Sequence, residues 1–257
     1  MIGYLAYGKE ERRGALGERS ILGVRFLQAV VPGRNRLAGR FWARRLASQL
    51  RRRGVTEAVY PRDCPYEEAF VRQGILPVNP LPLYRSMAPQ VVRWEMGRQG
   101  ISPAATTAAV VARGVGEDVR RILTELALQV RYVMLHASGG EDLCRSLQRE
   151  YGVSVIRTPT RRQLAEAEIL VLLCPPPEGL ERKARVLLQL YDGERVLRGN
   201  AFRFGLPQGL EGEVEENCEK EQLLTVLHRA GALKNEQIPV MEVDIAGKTL
   251  YNASIVE

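Results

Sequence analysis

The sequence predicts an α/β protein: a Rossmann-like parallel sheet unit, preceded by a smaller α/β region and followed by an acidic α+β tail. Three observations predict it. Residues 101–200 alternate near-continuous apolar strands with amphipathic helices, the pattern of a parallel sheet covered on both faces. Residues 1–100 follow a looser strand and helix order, and residues 201–257 turn acidic and hairpin-like. At 257 residues the chain is long enough for two compact units, so 1–100, 101–200 and 201–257 are the expected segments, with a boundary near residue 100.

The elements follow from local pattern. Ile2–Tyr7 and Ile21–Val31 read as strands around a polar, glycine-containing connection. Residues 34–53 then read as a helix whose apolar patch is Ala38, Trp42, Ala43, Leu46 and Leu50. Glu57–Tyr60, Pro65–Arg72 and Ile75–Val78 have the β-α-β order of a parallel pair, and Tyr84–Arg98 reads as a helix closed by Gly100 and Pro103. The next strands are Thr106–Ala112, Arg131–Leu135, Val153–Arg157, Ile169–Cys174 and Val186–Leu190. Between them lie helices at Glu117–Gln129, Glu141–Tyr151 (Leu143, Leu147 and Tyr151 facing inward) and Arg161–Glu166. Right-handed crossovers make this a doubly wound unit. Beyond residue 200 a helix is expected over Glu221–Arg229, and Val240–Asp244 with Thr249–Tyr251 flank an Ala-Gly turn.

Composition excludes several classes. With 45% apolar and 26% charged residues, the chain is neither disordered nor collagen-like. No apolar run reaches the ~20 residues of a membrane helix, and the start lacks the basic region of a signal peptide, so no membrane association is expected. Cys64, Cys144, Cys174 and Cys218 form no paired motif, which points to the reducing cytosol and a cytoplasmic location.

The net charge of +7 is unevenly placed. Basic residues outnumber acidic ones 18 to 8 over residues 1–100, and the balance reverses to 4 against 10 over residues 211–257. Eight arginines lie between Arg34 and Arg53 with no acid in that span. Arg36, Arg40, Arg44 and Arg51 share one helical face and are the candidate contacts for a polyanion, nucleic acid included. The competing expectation is a solvated face, or one that pairs with the acidic tail.

Arg113-Gly114-Val115-Gly116-Glu117-Asp118-Val119 stands where a nucleotide fold keeps its glycine loop, after the unit's first strand and opening its first helix. Leu164–Pro177, reading LAEAEILVLLCPPP, resembles the strand-plus-proline segment of shikimate-dehydrogenase-like and glutamyl-tRNA-reductase-like Rossmann domains. The resemblance extends over about a hundred residues at the level of fold. It implies cofactor contacts at Gly114, Gly116 and the loop after Leu135. Three departures argue for a degenerate or repurposed site. Val119 replaces the third small residue, which hinders close helix–strand packing. Glu117 and Asp118 occupy the turn where a pyrophosphate meets bare N–H groups, and a carboxylate at about 5 Å costs a phosphate roughly 3 kcal/mol at an effective dielectric of about 20. The second strand ends in His136-Ala137-Ser138-Gly139-Gly140, with no acid for a ribose diol. Ser138 suits a 2′-phosphate, which makes NADP the alternative cofactor, yet Ser138 with Glu141 also reads as a capping box, as does Thr160 with Gln163.

Two histidines leave no multi-histidine metal site, and no metal is expected. The motifs of zincins, α/β-hydrolases and P-loops are absent. Cys64, beside Arg62 and before Pro65, is weighed as a low-pKa thiol against an ordinary helix-entry residue. The strand-end rim offers Arg113, His136, Ser138, Thr158 and Cys174. Arg113 is expected either to anchor an anionic ligand or to pair with Glu117 and Asp118, the pair being favoured. The sequence therefore points to a binding or scaffold protein, taking a protein partner or a small anionic ligand. The rival readings are an NADP-dependent oxidoreductase and an arginine-led binder of nucleic acid or anionic surfaces.

Overall fold

The structure, a computed structural model, describes residues 1–8, 15–31, 37–178, 180, 184–192 and 202–242. The chain divides into two compact units: residues 1–83 with 204–239, and residues 84–203 with 240–257.

The first unit is built on a five-stranded sheet. Its strands are β1 (Ile2–Tyr7), β2 (Leu16–Ile21), β3 (Val24–Val31), β4 (Glu57–Val59) and β5 (Leu76–Pro77), in the order β2-β3-β1-β4-β5. β1 lies centrally and parallel to both β3 and β4; β4 runs parallel to β5. β2 is antiparallel to β3, so the expected single strand Ile21–Val31 is instead the second arm of a hairpin. Its turn is Leu22-Gly23, with φ of 47° and 78°. Both central residues of a type I′ turn need positive φ, and leucine hides the signal that asparagine or glycine would have supplied. β2 itself, LGERSI, is a polar edge strand and so reads as a loop.

Helix α1 (Leu37–Arg52) packs Ala43, Leu46, Ala47 and Leu50 into a cluster with Leu5, Leu27, Val31, Phe70 and Ile75. Phe70 comes from α2 (Glu67–Val71). Trp42 is half-buried as well.

The C-terminal segment completes this unit. Gln222 Oε1 accepts from the Tyr60 N–H at 2.8 Å, the Arg62 N–H donates to the Asn217 carbonyl at 2.7 Å, and Pro61 and Cys218 form an antiparallel bridge. The helix Lys220–Arg229 buries Leu223, Leu224, Val226 and Leu227. Among the described residues no acid of this stretch is seen paired with an α1 arginine, and Glu215 accepts from the Tyr4 hydroxyl and from Arg19 at 2.5 Å.

The division falls at Leu83 rather than near residue 100. The reason is helix α3 (Leu81–Gln99), whose polar ties run to the second unit. Arg85 Nε donates to the Leu190 carbonyl at 2.9 Å, and Arg185 donates to the Gln99 carbonyl at 2.9 Å.

In the second unit five parallel strands take the order β10-β9-β6-β7-β8. They are β6 (Thr107–Gly114), β7 (Tyr132–Ser138), β8 (Val155–Arg157), β9 (Ile169–Leu172) and β10 (Val186–Gln189). α4 (Glu117–Ala127), α5 (Glu141–Tyr151) and α6 (Arg161–Glu166) connect the first four. α4 buries Val119, Ile122, Leu123 and Leu126; α5 buries Leu143, Cys144 and Leu147. Tyr151, expected to face inward, is 48% exposed, because the helix ends there at left-handed Gly152. β9 is buried at every position, as an inner parallel strand requires, and β10 is equally buried although it ends the strand order.

The last helix, α7, is the Lys220–Arg229 segment already described, and β11 (Phe202–Phe204) pairs with β12 (Val240–Glu242). The Thr249–Tyr251 arm of the expected hairpin lies outside the described residues, as does Arg36.

Candidate functional site

Counted from its own first strand, the second unit runs β6, β7, β8 outward to one side, then returns to lay β9 and β10 on the other. Connections therefore leave β6 and β9 in opposite directions, which opens a crevice at their carboxyl ends. The second unit has a Rossmann-type fold.

The crevice of this Rossmann unit is a cleft of about 530 Å³. Its floor is the β6–α4 turn, Arg113, Gly114 and Gly116 through Val119. Its walls are Leu173, Cys174 and Pro175 after β9, Tyr191 and Asp192 after β10, and Arg85 from α3. Of the rim residues expected from sequence, Arg113, Gly114, Gly116 and Cys174 meet here. His136, Ser138 and Thr158 do not line the cleft: His136 lies within β7, opposite Val111, and Ser138 opposite Gly114. Thr158 has φ of 48° after β8 and donates its N–H to the Leu135 carbonyl.

The charges are arranged differently from expectation. Asp118 is engaged by Arg121 at 2.9 Å and by Arg85 at 3.6 Å, not by Arg113. An i,i+3 partner on its own helix and a guanidinium from α3 reach the carboxylate first. Among the described residues no carboxylate lies within ion-pairing distance of Arg113, an exposed side chain at the end of β6. Burial pushes the Cys174 thiol up, opposed by the charge of Arg113.

The two glycines are not demanded by the chain's own geometry. Gly116 caps α4 with φ of −104°, open to any residue, and a Cβ there would meet nothing within 4 Å. At Gly114 the nearest atom is the Ser138 carbonyl oxygen at 3.8 Å. No side chain caps the first N–H groups of α4.

Ser138 does not cap α5. The N-cap is Gly140, with no side-chain bond, because Gly139 turns the chain with φ of 71° and moves the helix start two residues past the capping-box register. The second expected box is present: Thr160 and Gln163 bond reciprocally at the start of α6. Cys64 is no activated thiol, since burial pushes it up to about 11. Arg40, Arg44 and Arg51 are exposed on α1. Among the described residues no cluster of histidine, cysteine and carboxylates could hold a metal, and no helix is long and apolar enough to cross a membrane.

Arg85, Tyr191 and Asp192 escape sequence reasoning. They reach the cleft only through the packing of α3 and the register of β10 beside β9, and no local motif marks them.

Solved structures similar to this chain include an L-tryptophan dehydrogenase from Nostoc punctiforme, at 12% identity and a TM-score of 0.32, covering 65% of this chain and 51% of that one. A D-lactate dehydrogenase with NAD+ from Lactobacillus jensenii shows 10% identity and a TM-score of 0.24, covering 52% and 46%. A D-isomer specific 2-hydroxyacid dehydrogenase from Lactobacillus delbrueckii ssp. bulgaricus, in its NAD complexed form, shows 13% and 0.26, covering 59% and 56%. The chain spans about half the length of these proteins. No family model and no curated protein matches it.

Proposed function

We propose that this is a binding protein in which the glycine turn of a dinucleotide-type fold is repurposed for a small anionic ligand, held by Arg113 and the first N–H groups of α4. The observation that carries this reading is that Arg113, which no carboxylate of the described residues pairs with, stands beside a glycine turn where an added Cβ would meet little or nothing. Asp118 is neutralised by two arginines, so the repulsion that its sequence position implies is largely cancelled. Glu117 stays exposed at the helix start and favours one anionic group over an extended pyrophosphate. A cleft of about 530 Å³ is within the range of small-molecule sites.

A second reading, an NADP-dependent oxidoreductase, is favoured by one observation. Ser138 is exposed, makes no capping bond and ends β7, where the strand end carries no acid.

Calorimetry with inorganic phosphate, ADP, NAD and NADP separates the readings. The binding reading expects heat from a small anion, and Arg113→Ala should lose about 1.5–3 kcal/mol of binding free energy with the melting temperature unmoved. NADP binding tighter than NAD, together with a Ser138→Ala loss confined to NADP, would move the assignment to the oxidoreductase. Equal affinity of the Arg113→Ala variant for every ligand would sink the proposed site.

A further inference from the structure

Helix α1 gives one face to the core and presents the other to solvent. Indexed at about 100° per residue, Arg40, Arg51 and Arg44 form one row, and Arg52 and Arg45 a second row roughly 110° away. Phe41 falls between the rows and is 64% exposed, its edge against Trp42. Arg45 lies over the Trp42 ring, 5.6 Å from its centroid. The row from Arg40 to Arg51 runs about 16 Å along the helix.

None of this charge is compensated. Among the described residues no carboxylate pairs with any of these five arginines, and three acids of the same unit are engaged elsewhere. Glu57 is held by Arg229, Glu68 by Arg72 and Glu215 by Arg19. Confining uncompensated guanidinium groups on one helix costs self-repulsion that a polyanion would relieve.

We propose that this face of α1 binds single-stranded nucleic acid, the two arginine rows tracking phosphates and Phe41 stacking on a base. The exposed ring selects among polyanions. A base in a duplex keeps its faces inside the stack, whereas an unpaired base offers a π-face to an aromatic side chain, whatever its identity. A membrane surface fits less well. An interfacial helix inserts its apolar face, and here Ala43, Leu46, Ala47 and Leu50 are spent in the core, with Phe41 the one mainly exposed apolar side chain of the helix among the described residues. The proposal lies in the first unit and stands apart from the cleft of the Rossmann unit.

The test is fluorescence anisotropy of the whole chain with labelled oligouridine and oligothymidine of about twenty nucleotides. A duplex of equal length and phosphatidylserine vesicles serve as comparisons, across a salt series. The expected result is tighter binding to single strands of either sugar than to the duplex, with a log–log salt slope of about −2 to −3.5 for three to five phosphate contacts. Phe41→Ala should weaken binding about tenfold without changing the slope, and Phe41→Trp should restore it. The pair Arg44→Gln with Arg51→Gln should flatten the slope by about 1.4, and carries the test alone if Phe41→Ala disturbs the fold. A preference for duplex, capture by vesicles but not oligonucleotides, or a salt slope untouched by the arginine pair would each overturn the proposal. So would full affinity in a folded Phe41→Ala variant.

Discussion

At the scale of single residues, the molecule's most concentrated polar chemistry surrounds Tyr4, in the central strand of the first sheet. Its hydroxyl, 1% exposed as a residue, donates to Glu215 and contacts the Cys218 thiol, and Arg19 lies over its ring at 4.6 Å. Burial drives the Tyr4 pKa far up and the Cys218 thiol to about 11. Burial also pushes Glu215 upward, but the Tyr4 hydrogen bond, its own backbone and Arg19 together outweigh it, and the carboxyl is held below its ordinary 4.5. A carboxylate depressed in the folded state adds stability above its unfolded pKa and loses it as pH falls through the folded value. Stability should therefore decline as pH falls below about 4.5. Tyr4→Phe should cost about 1–3 kcal/mol at neutral pH, and Glu215→Gln should flatten the acid side of the profile, both read by urea melts at several pH values. An unchanged acid limb in Glu215→Gln would place the acid sensitivity elsewhere.

Elements depend on chemistry that periodicity does not encode. The β2–β3 hairpin turns through Leu22, a non-glycine residue at φ of 47° with 46% of its surface exposed. A left-handed conformation costs an L residue roughly 1–2 kcal/mol, and asparagine is better suited to it. Leu22→Asn should thus stabilise the protein by up to about 1 kcal/mol, while Gly23→Ala, at φ of 78°, should destabilise it by roughly 1–2 kcal/mol. Thermal melts of the two variants should move in opposite directions; movement in the same direction would mean that Leu22 contributes packing. The α4 turn shows the same dependence on context. Its acids look hostile to an anion in sequence, yet α3 supplies the guanidinium that helps quench Asp118.

For the whole molecule, the decisive feature is that the first unit is assembled from two stretches of the chain, residues 1–83 and 204–239. Residues 204–239 supply Gln222 to the Tyr60 N–H, the bridge at Pro61 and the buried leucines of α7. Truncation after residue 203 should therefore unfold the first unit rather than trim a tail. Hydrogen exchange should show protection lost across β1, β3 and β4 and retained in β6, β7 and β9. Retained protection in β1 would show that the first unit folds without its C-terminal part.

The sequence by itself determined the elements and the architecture of the Rossmann unit. Apolar strands and amphipathic helices are local patterns, and right-handed crossovers leave few topologies for them. It also located the glycine turn and the strand-end rim, so Arg113, Gly114, Gly116 and Cys174 were legible as a group. It left β2 hidden in a polar edge strand and placed the unit boundary at the far end of α3 rather than within its first turn. Tertiary structure alone decided which charges meet. Asp118 pairs with Arg85, thirty-three positions away, and Glu215 with Arg19, nearly two hundred positions away, because strand order and helix packing, not spacing in the chain, bring those groups within a few ångströms. Coulomb energy falls off with distance in space, so the partners of Asp118 and of Glu215 could be read only once the chain was folded.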